Sequence, residues 1–348
     1  MKLCTVIGAR PQFIKHAALE HALSEENEIE HIVIHTGQHY DANMSEIFFK
    51  EFNLKKPDYK LSAGSHDPNK QIAFMRKEIE QILLDVTPDL LLVYGDTNST
   101  LAGARAAEEL NIKVIHVEAG LRSFNMEMPE EFNRIETDKI SEILFAPSQL
   151  AMDQLASESI NGQAVLIGDI MKDMVELAHQ KGLLKAGKED PHYYATIHRP
   201  YNTDDINRLL QILESLDALD ERVVFSLHPR TKKMLVKDAI DLSKYSNMHF
   251  IEPVGYFDNL NYINNSTALL TDSGGMQKEA YWLKTKCITI RKETEWTETL
   301  REGWNHLLFE KLNELQDTLH QEPGSYDETL YGDGKAAQKI IDYLKSIS

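Results

Sequence analysis

Three short acidic segments are the residues best suited to chemistry in this chain. They read Y-G-D-T-N-S-T at 94–100, H-V-E-A-G-L-R-S at 116–123 and M-P-E-E-F-N-R at 128–134. Asp96 follows an apolar run at 90–94, and Glu118 follows another at 114–117. A carboxylate at the carboxyl end of a buried strand is costly unless paired. It also lies where open α/β sheets place their ligands. The chain has no C-x-x-C or H-E-x-x-H spacing. The acids, with the strand-end histidines His198 and His228, therefore point to proton transfer without a metal or other cofactor.

Basic residues recur at the same end of strand after strand: Arg10, Lys15, Arg122, Arg134, Arg199, Arg230 and Arg291. In a chain of net charge −18, that concentration predicts a cationic cleft for a phosphate-bearing ligand. The segment 269–280, L-L-T-D-S-G-G-M-Q-K-E-A, is an anion cradle. A strand meets a glycine pair and then a helix, so free backbone N–H groups and the helix dipole face one point. Ser273 can cap that helix or donate to phosphate, and Glu279 can accept from two ribose hydroxyls. The spacing is not that of a P-loop, and Gly8-Ala-Arg-Pro lacks the G-x-G-x-x-G of dinucleotide binding.

Each residue also has a structural reading. Asp96 could cap a helix over 98–110, and Glu118 could pair with Arg122. Glu130 and Glu131 suit the solvated first turn of a helix. His35 and His116 alternate within strands as packed residues. Trp282, Trp296 and Trp304 suit packing, with Trp296 in a loop near the cleft.

The elements that must position these groups are legible. Expected strands lie at 3–7, 31–35, 90–94, 112–117, 143–146 and 165–167, then at 193–197, 223–227, 249–251, 268–270, 287–290 and 306–309. Near-continuous apolar strands separated by helices mean parallel sheets buried on both faces. Two sets of six predict an α/β protein of two doubly wound, Rossmann-like domains facing a cleft, at 1–168 and 169–333. The expected helix at 334–348 packs back on the first domain. A helix with proline in its first turn is expected at 11–23 and another at 204–216 with capping residues from Asn202. A linker is expected at 182–190. The 348 residues, 42% apolar and 26% charged, fit a soluble two-domain protein. There is no apolar run of the ~20 residues a membrane helix needs, and the acidic balance argues against nucleic acid and anionic membrane. Cys4 and Cys287, both in apolar runs, imply a reducing, cytoplasmic setting.

At these residues the chain resembles the non-hydrolysing UDP-N-acetylglucosamine 2-epimerases, a family with the two-domain GT-B architecture. The motifs are G-A-R-P-Q-F-I-K at 8–15, G-Q-H-Y at 37–40, G-D-T-N-S-T-L-A at 95–102, H-V-E-A-G-L-R at 116–122, P-E-E-F-N-R at 129–134, H-R at 198–199 and T-D-S-G-G-M-Q-K-E at 271–279. The resemblance implies elimination of UDP through a 2-acetamidoglucal and its re-addition, for precursors of cell-surface polysaccharide. It implies Asp96, Glu118 and Glu130 as acid–base residues, with His198 and Arg134 beside sugar and diphosphate. Arg10 and Lys15 would hold phosphate or sugar oxygens, and Ser273, Gly274, Gly275 and Glu279 the diphosphate and ribose. Tyr256 would lie near the uracil loop, and His228 in the substrate site. Gln38, His39 and Arg199 match a second, activating UDP-GlcNAc site, where Tyr40 replaces the usual arginine. A homodimer with no cofactor is implied.

Gln12, Tyr201 and Trp296 depart from the more frequent family forms. They resemble a subgroup acting on UDP-2,3-diacetamido-2,3-dideoxyglucuronic acid, and border the expected sugar site. A hydrolysing epimerase, a GT-B glycosyltransferase and a non-catalytic nucleotide-sugar sensor are the rival readings.

Overall fold

The structure, a computed structural model, describes residues 1–24, 26–38, 48–64, 67–185 and 190–347. The candidate His39, its neighbour Tyr40 and most of the expected linker's second half, 186–189, lie outside them. The chain divides into two compact units, Met1–Glu176 with Thr329–Ser348, and Leu177–Glu328.

The first unit carries β1 (Lys2–Ile7), α1 (Arg10–Leu23), β2 (Glu30–His35), β3 (Tyr59–Lys60), α2 (Pro68–Val86), β4 (Leu90–Tyr94), α3 (Asn98–Glu109), β5 (Lys113–Val117), α4 (Pro129–Ile140), β6 (Ile143–Ala146), α5 (Gln149–Ser157) and β7 (Gln163–Leu166), followed by α6 (Ile170–Gln180). Its described strands form one parallel sheet in the order β3-β2-β1-β4-β5-β6-β7. Every residue of β4 is buried, as expected for a central strand covered on both faces. The alanines of α3 let that helix lie close to the sheet, and Ala102, Ala104, Ala106 and Ala107 are all buried in the core with Val6, Leu91 and Val93. The two-residue β3 is absent from the sequence expectation.

The unit boundary falls within α6, not at 168. The helix is tied to the returning chain: Lys172 Nζ donates to the Gly332 carbonyl at 2.6 Å, and the Asp173 carboxylate accepts from Ala336 N at 3.0 Å and Ala337 N at 2.7 Å. Residues 329–333 thus belong with the first unit. The C-terminal helix Ala336–Ser346 packs there too, with Tyr343 edge-on to Phe145 at 5.4 Å and Lys345 paired with Glu26 at 2.5 Å.

The second unit carries β8 (Tyr193–Thr196), α7 (Pro200–Thr203), α8 (Ile206–Asp217), β9 (Val223–Ser226), α9 (Pro229–Lys237), β10 (Met248–Ile251), α10 (Tyr256–Asn265), β11 (Ala268–Thr271), α11 (Gly274–Trp282), β12 (Lys286–Thr289), β13 (Asn305–Leu307) and α12 (Leu315–Leu319). Its parallel sheet runs β10-β9-β8-β11-β12-β13, a Rossmann order. The helix expected at 204–216 is α8, capped by Asp205, whose carboxylate accepts from Asn207 N at 2.9 Å, and the short α7 before it is additional. Asn202 caps nothing. Its buried amide instead donates to Asp272 at 3.0 Å and to the Ile290 carbonyl at 2.9 Å.

Cys4 and Cys287 are buried and unbridged. Burial pushes both thiols up to about 12, so neither is a nucleophile near neutral pH. Among the described residues, no helix is long and apolar enough to cross a membrane.

Candidate active site

In each sheet the strand order reverses at one point, between β1 and β4 in the first unit and between β8 and β11 in the second. Ligands of doubly wound sheets bind beyond the carboxyl ends of the strands at such a point. The candidate residues gather at both.

In the first unit, the turn from β1 into α1 is held by Gln12. Its Oε1 accepts from Gly8 N at 2.8 Å and Ala9 N at 3.0 Å, and its Nε2 donates to the Tyr94 carbonyl and to Thr100 Oγ1. Gln12 is therefore a clamp between β1, β4 and α3, with no polar atom left for the sugar expected beside it. One turn along α1, Lys15 Nζ meets Glu118 Oε1 at 2.5 Å, with the two side chains 5% and 9% exposed. Glu118 sits at a left-handed φ of +73°, a backbone state uncommon for a residue with a side chain. The N–H groups of Glu118 and Ala119 both donate to the Phe145 carbonyl, which fixes that bend. Gly95 is required beneath the pair. Its φ is +61°, and a Cβ there would lie 3.0 Å from Lys15 Nζ and 3.3 Å from Glu118 Oε1.

Asp96 is not the cap of α3, a place taken by Thr97. Its carboxylate pairs with Arg134 Nη2 and is 31% exposed. Arg134 also donates to Glu131 at 3.1 Å. Glu131 is fully buried rather than solvated, accepting from Ser123 N, Ser123 Oγ and Phe124 N, and so shapes the loop before α4. Glu130, its neighbour on the first turn of α4, is half-buried and makes no hydrogen bond or ion pair among the described residues. Asn133 Nδ2 donates to the Asp96 carbonyl at 3.0 Å. Arg10 starts α1 with its guanidinium 5.2 Å from the Phe48 ring. Arg122 does not pair with Glu118. It donates to Glu158 through two nitrogens, at 2.7 and 2.6 Å, and to Asp138 at 2.7 Å. Asp138 in turn contacts His116 Nδ1 at 2.7 Å, and His116 Nε2 contacts the Gly95 carbonyl at 2.7 Å.

In the second unit, Asp272 ends β11 wholly buried. It accepts from His198 N, Arg199 N and Asn202 Nδ2 at about 3 Å. Burial raises its pKa, and these three donors pull it back. This carboxylate builds the turn after β8, whose His198 ring stacks on His228 at 4.6 Å. His228 is also the N-cap of α9, accepting from Arg230 N at 3.2 Å. Arg230 is engaged elsewhere, with Asp204 at 2.6 Å.

Ser273 stands at the N-cap of α11 but its hydroxyl makes no capping bond. The first-turn N–H groups of the helix therefore remain uncapped by side chain, and Gly274 lets other groups come close: a Cβ there would lie 2.8 Å from Glu295 Oε1. Gly275 is half-buried, and Glu279 is buried one turn on. Arg291 is buried against Glu295 at 3.0 Å. Trp296 is packed, 4% exposed, with Lys278 Nζ 3.6 Å from its ring centre. Tyr256 opens α10 with its ring buried against Phe257, while Tyr201 is 46% exposed. Of the second-ligand candidates, Gln38 uses its Oε1 on Ser99 N and Oγ at the start of α3, and Arg199 flanks His198. Sequence reasoning placed Gln12 beside the sugar rather than as a clamp, and assigned no role to Asn133, Asp138 or Asp272. Each acts on a partner far along the chain, which no local spacing displays.

Residues 21–345 match the model of the UDP-N-acetylglucosamine 2-epimerase family. The chain is 43% identical to a UDP-N-acetylglucosamine 2-epimerase homolog of Methanococcus maripaludis, and 42% identical to the UDP-2,3-diacetamido-2,3-dideoxy-D-glucuronate 2-epimerase of Pseudomonas aeruginosa, each match spanning all of both chains. Its fold matches the crystal structure of Methanocaldococcus jannaschii UDP-GlcNAc 2-epimerase in complex with UDP-GlcNAc and UDP, with a TM-score of 0.91 and 38% identity over 99% of this chain and 100% of that one. The paired acids and the uncapped helix thus sit in a chain matched from end to end, and it belongs to the UDP-N-acetylglucosamine 2-epimerase family.

Proposed function

We propose that the protein inverts C2 of UDP-GlcNAc to give UDP-ManNAc without hydrolysis. The observation that carries this reading is the contrast at the two strand-order reversals of a family member. One holds carboxylates paired with Lys15 and Arg134; the other holds an uncapped helix start beside His198. In the proposed reaction, a carboxylate among Asp96, Glu118 and Glu130 takes the C2 proton. The C–H electron pair forms the C1–C2 double bond, and the C1–O pair leaves with UDP. Return of a proton on the other face of C2, with re-addition of UDP at C1, gives the epimer. Paired cations hold the carboxylates in place, and a positioned acid or base is worth about 10²–10⁴ in rate. UDP departs as an anion, which backbone N–H groups at Ser273–Gly275 favour. His198 and His228 border the diphosphate, Glu279 holds ribose, and the loop before Tyr256 holds uracil.

The same chemistry on UDP-2,3-diacetamido-2,3-dideoxyglucuronate is the second reading, favoured by the Pseudomonas aeruginosa relative. A cytoplasmic homodimer serving polysaccharide precursor synthesis completes the proposal. Met126 and Phe132, both exposed and lining a groove of about 740 Å³ between α2, α3 and α4, suit a second copy. Gln38, His39 and Arg199 are proposed to bind an activating second nucleotide sugar.

The test is incubation with each UDP-sugar in D2O, followed by NMR. Inversion at C2 with deuterium incorporated there is expected for UDP-GlcNAc. Turnover of the diacetamido-glucuronate alone would move the assignment to that subgroup, and free ManNAc would make the enzyme hydrolysing. No turnover and no exchange with either sugar would end the epimerase reading.

A further inference from the structure

His116 is wholly buried on β5, two residues before Glu118, and both ring nitrogens are committed. Nε2 lies 2.7 Å from the Gly95 carbonyl oxygen. A carbonyl can only accept, so Nε2 donates. Nδ1 lies 2.7 Å from Asp138 Oδ1, while Asp138 Oδ2 takes Arg122 Nη1 at 2.7 Å and Gly120 N at 3.1 Å. Asp138 Oδ1 thus faces Nδ1 while Oδ2 is held by the other two donors. The imidazole is a two-ended strut from α4 to the peptide joining Gly95 to Asp96.

That peptide bears unusual demands. Gly95 is left-handed, its N–H donates to the Val117 carbonyl at 2.9 Å, and Lys15 Nζ and Glu118 Oε1 lie directly over it. Asp96, the next residue, is held by Arg134 through its carboxylate and by Asn133 through its carbonyl. Rotation of the Gly95 carbonyl away from His116 would displace both carboxylates of the proposed proton-transfer site.

We propose that His116, oriented by Asp138, is a positioning residue: it locks the peptide joining Gly95 to Asp96 and thereby sets the placement of Asp96 and of the Lys15–Glu118 pair. The proposal rests on the epimerase reading. A ring needed only to fill space or to satisfy Asp138 has no use for the Nε2 contact, and that difference is testable. In H116Q the amide nitrogen falls near the position of Nε2 and can still donate to Gly95; in H116N it falls near Nδ1 and serves Asp138 alone.

The expected result is a kcat lowered ~100-fold in H116N and roughly tenfold or less in H116Q, with the UDP dissociation constant within about twofold of wild type in both, since misplacement of reacting groups by about 1 Å costs that much. Active molecules are counted by UDP binding, so loss of folded protein does not imitate the effect. H116N equal to or better than H116Q would overturn the proposal. Nitrogen-15 NMR of the wild-type protein gives a check that needs no variant: the His116 Nε2 should carry a proton, and a bare Nε2 would overturn the proposal. A wild-type protein that inverts no UDP-2-acetamido sugar would sink the functional reading instead, and the proton on His116 Nε2 is independent of that outcome.

Discussion

The two strand-order reversals share one topology and use their polar groups differently. In the first unit the polar groups are side chains of both signs: Lys15 against Glu118, and Arg134 against Asp96 and Glu131. In the second, the buried carboxylate Asp272 is spent on the backbone N–H groups of His198 and Arg199 and on the Asn202 amide, Arg291 is paired with Glu295, and the adjacent helix start receives no cap from Ser273. Side-chain acids can exchange protons and partners during a reaction, whereas backbone N–H groups offer a fixed positive end that needs no reorganisation. In the proposed reaction the same scaffold would thus supply proton transfer from one copy and anion retention from the other.

This division can be broken from either side. The largest effect is expected for E118Q, which should lower kcat by ~10³ while steady-state kinetics and calorimetry show the UDP dissociation constant little changed. Parallel loss of UDP binding would mean that the first unit holds the nucleotide as well. D272A should come next, because it strands three donors. Urea unfolding should show a loss of about 3 kcal/mol, with weakened UDP binding alongside it. A variant as stable as wild type would show that water replaces the carboxylate and that the turn after β8 needs no internal acceptor. The smallest effect is expected for S273A, about tenfold in UDP affinity or ~1.4 kcal/mol, with kcat at saturating substrate preserved. Unaltered affinity would move the anion away from the start of α11.

The strands were largely legible because buried parallel strands write themselves as short β-branched runs, and the glycine and acid positions at their ends followed from that. β3 escaped because two residues, Tyr59 and Lys60, carry no pattern. Long-range demands overrode local chemistry elsewhere. Asn202 has the composition of a helix cap, but Asp272, 70 residues away, claims its amide. Glu131 reads as a solvated first-turn acid, yet the loop at Ser123 and Phe124 needs its carboxylate inside. Trp296 reads as a loop aromatic, but Lys278 from the facing helix turn lies over its ring. Glu118 and Asp96 were found from position alone. Their cation partners lie 103 and 38 residues away, and no spacing rule connects them.

The C-terminal helix Ala336–Ser346 lies on the first unit, so that unit is assembled from two separated stretches while the second is one unbroken stretch. Synthesis on the ribosome proceeds in one direction, and domains mature as their residues emerge. The second unit has all its residues once 328 has been added, whereas the first must wait for a helix made later. A nascent chain can therefore complete its second unit before its first, which cannot close until the helix Ala336–Ser346 has been made.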